Sequence, residues 1–488
     1  MTTPLRIVFV ASEASPFAKT GGLADVAGSL PAALQRLNMD VRVILPGYRQ
    51  VLAHGLRPEP VRSNLHTWLG PERLTFHVHQ LSVDHGVPVY VIDREDMFDR
   101  SHLYGNDDGD YYDNAERFIF FCRAVTTLMQ SWDFNPQIVH CNDWHTGLIP
   151  VYMQANPGLS QSHTLFTLHN LGYSGLFSGD KFALTGLDSS HYQPGGLEFY
   201  GKWSMLKAGL VYSRAVSTVS PTYAREIQTP EYGKGLDGVL RNRQASVYGL
   251  LNGVDYHQWN PATDSAIPAR YSPDNMSGKR ICKSALVRNC HLNESLIDHP
   301  VIGIVSRLDI QKGIDLIIPI LGNLIESLNV GVVILGTGDS TMQQRLQQAG
   351  DAYRGAFAFI QRFDDSLARQ IIAGADMLLI PSRYEPCGLT QLYAMKYGTI
   401  PVVRATGGLN DTVIEVDERT GEGTGFTFRN ADSTDCLAAI QHAVTVFRML
   451  PLLWTRIQSR AMALDFSWEK AARNYVHLYQ ELMMDSTI

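Results

Sequence analysis

Short apolar runs alternate along the chain with stretches in which apolar residues recur every three or four positions. The first pattern reads as buried strands and the second as helices. Strands are expected at Leu5–Ala11, Val41–Pro46, Thr75–His79, Val87–Ile92, Gln137–Cys141, Thr164–Leu168, Ala215–Val219 and Val247–Leu251. Between them, helices are expected at Asn114–Ser131, Thr146–Gln154 and Lys202–Tyr212. Another should follow Gly22, with Val26, Leu30, Leu34 and Leu37 on one face and Pro31 as an interruption. The alternation stops at Asn252, where Gly-Val-Asp-Tyr-His-Gln-Trp-Asn-Pro reads as a turn-rich linker. It then restarts with strands at Val301–Val305, Val330–Leu335, Ala356–Ile360, Met377–Ile380 and Ile400–Val403. Helices are expected there at Gly313–Leu328, Thr341–Ala349, Ser366–Ala373, Leu389–Lys396 and Ser433–Arg448. Two successive β-α series predict an α/β protein of two Rossmann-like, doubly wound parallel sheets. A last helix, Ser467 to Met483, carries Trp468, Ala471, Ala472, Tyr475, Leu478, Tyr479 and Leu482 at helical spacing and must bury that face.

Composition narrows the function. The 488 residues are 45% hydrophobic with a formal net charge of −7, and they contain no basic block of the kind that nucleic acids or membrane surfaces require. An anionic ligand must therefore be held by local cations. No apolar run reaches transmembrane length, and the chain opens into a strand without a signal-peptide pattern. The cysteines Cys122, Cys141, Cys282, Cys290, Cys387 and Cys436 include no C-x-x-C pair. Reduced thiols in a cytoplasmic protein are the expectation.

Candidate chemistry lies where strands end. Ala18-Lys19-Thr20-Gly21-Gly22-Leu23-Ala24-Asp25-Val26 joins the first strand to the first helix. Free N–H groups and a helix dipole at such a place favour an anion, and two glycines let a ligand approach the backbone. An ordinary strand-loop-helix connection fits these residues equally well. Ser306-Arg307-Leu308-Asp309-Ile310-Gln311-Lys312-Gly313 sets two cations at another strand's carboxyl end, a placement suited to a diphosphate or to a plain exposed loop. In Pro381-Ser382-Arg383-Tyr384-Glu385-Pro386-Cys387-Gly388-Leu389-Thr390, Glu385 precedes a helix start, either to bind sugar hydroxyls or to cap the helix. No histidine adjoins Cys387, which argues against a nucleophile. His140-Cys141-Asn142-Asp143-Trp144-His145 and His169-Asn170-Leu171-Gly172-Tyr173 suit a carbohydrate pocket, with Trp144 as a stacking surface, or a polar turn. Their spacing is not that of a zinc motif. Gly196, Gly201 and Lys202 have P-loop spacing, but Trp203 replaces the required hydroxyl and no strand immediately precedes.

Together these stretches resemble the bacterial glycogen synthases and the plant starch synthases. The resemblance spans the chain: Lys19-Thr-Gly-Gly-Leu-Ala-Asp25, His140-Cys-Asn-Asp-Trp-His145, Asn252-Gly-Val-Asp255, Ser306-Arg-Leu308 with Lys312-Gly313, and Glu385-Pro-Cys-Gly-Leu-Thr-Gln391. It implies the GT-B architecture with the active site in a deep interdomain cleft. Residues 1–255 would form the acceptor-side domain and 256–464 the nucleotide-sugar domain, with 465–488 crossing back to the first. The implied reaction is retaining transfer of glucose from ADP-glucose to the non-reducing end of an α-1,4-glucan, by front-face attack, with no cofactor and no metal. Lys19, Asp143, His169, Arg307, Lys312 and Glu385 would be catalytic. Gly21, Gly22, Asp25, Asn252, Phe363, Cys387, Gly388, Leu389 and Thr390 would join Lys19 in binding substrate. ADP-glucose and glycogen are the implied partners; nucleic acid and membrane are not, and the oligomeric state is left open. UDP-glucose, a smaller acceptor, an inactive glucan-binding protein and a pyridoxal-phosphate phosphorylase remain alternatives. Two positions depart from relatives: Tyr393 replaces the second glutamate of many related transferases, and Arg362-Phe363 stands where this family more often has Gly-Tyr.

Overall fold

The computed structural model describes residues 4–53, 59–81, 86–106 and 109–484. Its contacts divide the chain into Met1–Gly253 with Trp468–Ile488, and Val254–Ser467. The crossings thus fall at 253/254 and 467/468, against 255/256 and 464/465 expected from sequence.

The first unit is built on nine strands: Arg6–Val10 (β1), Asp40–Pro46 (β2), Glu59–Leu69 (β3), Glu72–Leu81 (β4), Val89–Asp93 (β5), Ile138–Asn142 (β6), His163–Leu168 (β7), Ala215–Thr218 (β8) and Val247–Gly249 (β9). Their order is β9-β8-β7-β6-β1-β2-β5-β4-β3. The run from β9 to β5 is parallel, and β4 and β3 add an antiparallel edge. β3 is absent from the sequence-based reading because its pattern is broken. Asn64 has φ +56°, and the register slips between Pro60 and Arg62 and between Arg62 and Leu65.

The second unit carries Val301–Val305 (β10), Gly331–Leu335 (β11), Phe357–Ile360 (β12), Met377–Ile380 (β13), Ile400–Arg404 (β14) and Phe426–Phe428 (β15). All pair in parallel, in the order β12-β11-β10-β13-β14-β15. This is the doubly wound Rossmann order, which reverses between β10 and β13. β15 has only three residues, too few to show a periodicity.

Three expected helices need correction. Lys202–Ser204 is a strand of a small antiparallel sheet, and the helix starts at Met205, where Ser204 Oγ accepts from Lys207 N at 3.1 Å. The Thr146–Gln154 stretch is helical as a 3₁₀ turn, Trp144–Thr146, and a helix from Ile149. Gly313–Leu328 breaks into an α turn, a 3₁₀ turn and a π turn around Pro319, which lacks the N–H an α-helix would use. Pro31, by contrast, sits inside the continuous helix Gly22–Arg36.

The last helix, Trp468–Met484, belongs to the core of the first unit, where all seven of its apolar positions are buried. One polar contact fixes its register. His140, fully buried on β6, hydrogen-bonds Tyr479 Oη through Nδ1 at 2.7 Å and Thr167 Oγ1 through Nε2 at 2.6 Å. Burial holds this imidazole well below its ordinary pKa, so it is neutral. Tyr479→Phe keeps the ring and strands a buried ring nitrogen. Unfolding in urea should show a loss of about 1–3 kcal/mol, with an unchanged m-value.

Candidate functional site

In a parallel sheet every strand ends at the same edge, so loops distant in sequence gather there. In the first unit the carboxyl ends of β1, β6 and β7 bring together Ser12–Asp25, Asp143 and His169. Lys19 pairs with Asp25 at 2.6 Å, and Asp25 lies in the first turn of the helix, where the dipole favours it. Gly21 and Gly22 are exposed, with open space where a Cβ would lie. The loop's N–H groups are not all free, as the sequence had suggested. Glu13, 4% exposed, accepts from Thr20 N at 2.6 Å, Gly21 N at 3.2 Å and Thr20 Oγ1 at 2.6 Å. An internal carboxylate occupies part of the expected anion site.

Asp143 follows β6 with φ +56° and ψ 176°, a region that costs a non-glycine residue about 1–3 kcal/mol. Its Oδ1 accepts from His169 N at 2.8 Å. Burial pushes its carboxyl up to about 7, and the charge of Glu13 adds to the rise, while backbone N–H bonds from His169 and Asn170 oppose it. His169 is held neutral, its pKa lowered by burial to about 3. Asn142 Nδ2 donates to the carbonyls of Val10 and His140, so its Oδ1 accepts from His169 Nε2 at 3.0 Å. The imidazole therefore carries its proton on Nε2, and Nδ1 is a hydrogen-bond acceptor. Asn252 is 6% exposed, and its Oδ1 is buried without a hydrogen-bond partner among the described residues. Trp144 is not the stacking surface expected. It is 9% exposed, stacked on His145 at 3.9 Å and covered by Gly175. His145 is buried with it.

In the second unit the site lies at the strand-order reversal, where ligands of open α/β sheets bind. The loops after β10 and β13 line a cavity of about 70 Å³ bounded by Ser306, Lys312, Ser382, Glu385 and Gly388–Gln391. Glu385, 7% exposed, takes Lys312 Nζ at 2.6 Å and Ser382 Oγ at 2.9 Å, both on Oε2. Asp309 takes Arg307 Nη1 at 3.1 Å and Lys312 N at 2.8 Å. Each cation expected at a diphosphate thus already faces a carboxylate. Gly313 makes the close approach of the two loops possible, and Gly388 the turn into the helix after β13. Gly313 has φ +70°, and a Cβ there would collide with the Pro381 carbonyl; Gly388 has φ +71°, and a Cβ would collide with Gln391. Gln391, fully buried, donates to the carbonyls of Cys387 and Gly388 at 3.1 and 3.0 Å and to Thr412 Oγ1 at 3.2 Å. Leu389 and Thr390 open a helix of seven residues, Thr390–Lys396. Phe363, after β12, is 88% exposed. No group of three or more His, Cys, Asp or Glu suited to a metal occurs among the described residues.

A family model described as the starch synthase catalytic domain matches residues 6–242, and one for glycosyl transferases group 1 matches residues 299–445. The glycogen synthase of Syntrophotalea carbinolica is 44% identical over 98% of this chain and 99% of its own. Glycogen synthase 2 of Geobacter sulfurreducens is 42% identical over 98% of each. The catalytic domain of starch synthase IV from Arabidopsis thaliana, solved with ADP and acarbose, superposes with a TM-score of 0.90 at 33% identity, covering 98% of this chain and 99% of that one. The sucrose-phosphate synthase of Thermosynechococcus elongatus shares the fold, with a TM-score of 0.60 at 17% identity over 99% of this chain and 100% of its own. This chain belongs to the glycogen and starch synthase family. It is a glycosyltransferase of the GT-B class.

Tyr393 has a structural use in this chain. Its ring lies flat on Trp259, centroids 3.8 Å apart and planes 3° apart, and Arg369 stacks 4.3 Å over the same indole. Cys387 is buried behind Gly408, which has no side chain to displace it. Sequence reasoning missed Glu13, Ser382 and Asn142, which hold Lys19's loop, Glu385 and His169. Ser382 was legible as a hydroxyl three residues before Glu385. Asn142 acts across strands, where local spacing carries no signal, and Glu13 reaches Thr20 and Gly21 within an irregular loop that has no periodicity to read.

The shifted Asp143 predicts a pH effect on stability. Its folded pKa, about 7, lies above the ordinary carboxylate value, so the folded state binds more protons and stability falls as pH rises from about 4 to about 7. Asp143→Asn removes that dependence. The Tm of Asp143→Asn relative to the parent should be higher at pH 8 than at pH 5 by scanning calorimetry; an equal offset at both would disprove the shift.

Proposed function

We propose that this chain transfers glucose from ADP-glucose to the non-reducing end of an α-1,4-glucan, with retention of configuration and without metal or other cofactor. The observation that carries the reading is the Lys312–Glu385–Ser382 cluster at the strand-order reversal of the second unit. Lys312 spends one of its three N–H donors on Glu385 and keeps two for phosphate oxygens, and Arg307 offers a planar fork beside it. Lys19 is assigned to the same donor. Charge develops on the leaving ADP as the glycosidic bond breaks, and fixed cations stabilise it in the transition state more than in the ground state. Glu385 keeps Oε1 for a hydroxyl of the glucose. His169 Nδ1 and the unpartnered Oδ1 of Asn252 are suited to accept from glucose hydroxyls, and Asp143 serves the acceptor side. The acceptor oxygen attacks the anomeric carbon from the face the phosphate leaves, and the departing phosphate takes its proton. Phe363 stacks on adenine. The starch synthase solved with ADP supports the base, and the glycogen synthase relatives support the acceptor.

Side-by-side transfer assays with ADP-glucose and UDP-glucose, using glycogen as acceptor, test the reading. ADP-glucose should be preferred; transfer only from UDP-glucose, or none, would overturn it. Arg307→Ala or Lys312→Ala should lower kcat/KM by roughly 100-fold, with Tm monitored because Lys312→Ala leaves Glu385 unpaired. Cys387→Ser should retain most activity, since no histidine adjoins Cys387 in the sequence to activate the thiol. A glucosylated cysteine seen by mass spectrometry would contradict that.

A further inference from the structure

A chain of hydrogen bonds runs beneath the Lys19 loop, and its protons can be placed. Tyr104 Oη donates to Glu13 Oε1 at 2.8 Å. With that proton used, the 2.7 Å contact between Ser12 Oγ and Tyr104 Oη must be donated by the serine. Ser12 Oγ then accepts from His145 Nδ1 at 3.0 Å. His145 is buried, stacked between Tyr104 and Trp144, and its pKa is held well below the usual value by burial, so it has a single ring proton to give. Three neutral donors in series thus end on one carboxylate, an arrangement in which each bond polarises the next. The same carboxylate receives Thr20 N, Thr20 Oγ1 and Gly21 N from the loop. Glu13 is 4% exposed, and both its oxygens are taken by these donors. Its role is exerted through the backbone it holds.

We propose that Glu13 is a positioning residue for the transfer reaction: its buried carboxylate clamps Thr20 and Gly21, fixes the backbone carrying Lys19, and ties that loop through Tyr104, Ser12 and His145 to the segment bearing Asp143. The proposal rests on the reading of Lys19 given above. A lysine is a flexible cation, and its usefulness to a developing phosphate charge depends on where its Cα is fixed. The carboxylate supplies that fixation through the N–H groups of Thr20 and Gly21, while the space where a Cβ of Gly21 or Gly22 would lie stays open. Loss of the clamp leaves the lysine present but loosely placed, and misplacement by about 1 Å costs on the order of 100-fold in rate.

A double-mutant cycle separates positioning from simple support of the fold. Glu13→Gln, Lys19→Ala and the double variant are compared with the parent in the full-length chain, by initial rates with ADP-glucose and glycogen, with Tm recorded for each. Glu13→Gln should lower kcat/KM about 10- to 100-fold and change it less than about 3-fold when Lys19 is already alanine. Where Lys19→Ala rates fall below detection, the same cycle is run on the Kd for ADP by calorimetry. Thr20→Val, which removes only one of the three loop contacts, should give a smaller loss that also vanishes in the Lys19→Ala background, and it serves if Glu13→Gln does not fold. Parent-like rates in Glu13→Gln, or a loss that persists in full without Lys19, would overturn the proposal while leaving the reading of Lys19 intact. Parent-like rates in Lys19→Ala would overturn both.

Discussion

A carboxylate removed from water must be hydrogen-bonded, paired or protonated, because an isolated buried charge costs far more than a domain's net stability. Three carboxylates at the strand ends of this enzyme meet that constraint in three ways. Glu13 collects four donors, from Thr20, Gly21 and Tyr104. Glu385 takes an ammonium and a hydroxyl. Asp143 receives only backbone N–H groups, from His169 and Asn170, with no cation beside it among the described residues, and burial raises its pKa to about 7. The chemistry assigned to each follows from its solution. Glu13 is saturated and can only hold its loop. Glu385 receives both donors on Oε2, which leaves Oε1 outside that cluster. Asp143 stands near the point of ionisation at neutral pH, where a group can exchange a proton at low cost.

Parallel topology places these groups. A strand of five residues decides little alone, but seven parallel strands in the first unit and six in the second send their following loops to a common edge. That is why Ser12 and His145, 133 residues apart in sequence, are hydrogen-bonded in one chain that ends on Glu13. It is also why Lys312 and Glu385, separated by 73 residues, form an ion pair. The reversal of strand order between β10 and β13 leaves the gap that their loops line.

Much of this was legible in the residues. The parallel strands announced themselves as apolar runs, since strands buried on both faces need no alternation. Lys19, Arg307, Lys312 and Glu385 were visible as charged groups at the ends of such runs. What sequence did not disclose falls into two kinds. One is backbone behaviour set by single residues: the broken helix at Pro319, the cap at Ser204 that delays a helix to Met205, the slips of register in β3. The other is pairing across strands. Trp144 looked like an exposed platform because its neighbours are polar, yet His145 and Phe118 enclose it. Glu13 looked like an ordinary acid because the loop folds Thr20 and Gly21 back onto it without any periodicity and its fourth donor, Tyr104, lies 91 residues away.

The pairing of each candidate cation has a consequence for recognition. Lys19 faces Asp25, Arg307 faces Asp309 and Lys312 faces Glu385. A chain of net charge −7 could not attract a nucleotide diphosphate by its overall field. Nor do these pairs present bare positive charge. What they provide is orientation: side chains already held near their working geometry by a fixed carboxylate, with donors left over. In the reading proposed above, a diphosphate bound at the strand ends of the second unit shares Lys312 with Glu385 and Arg307 with Asp309, with little rearrangement. In that reading, selectivity comes from matching the two remaining N–H donors of Lys312. This is electrostatic preorganisation achieved with balanced charge, and it suits a site whose task is to stabilise charge that appears only as the bond breaks.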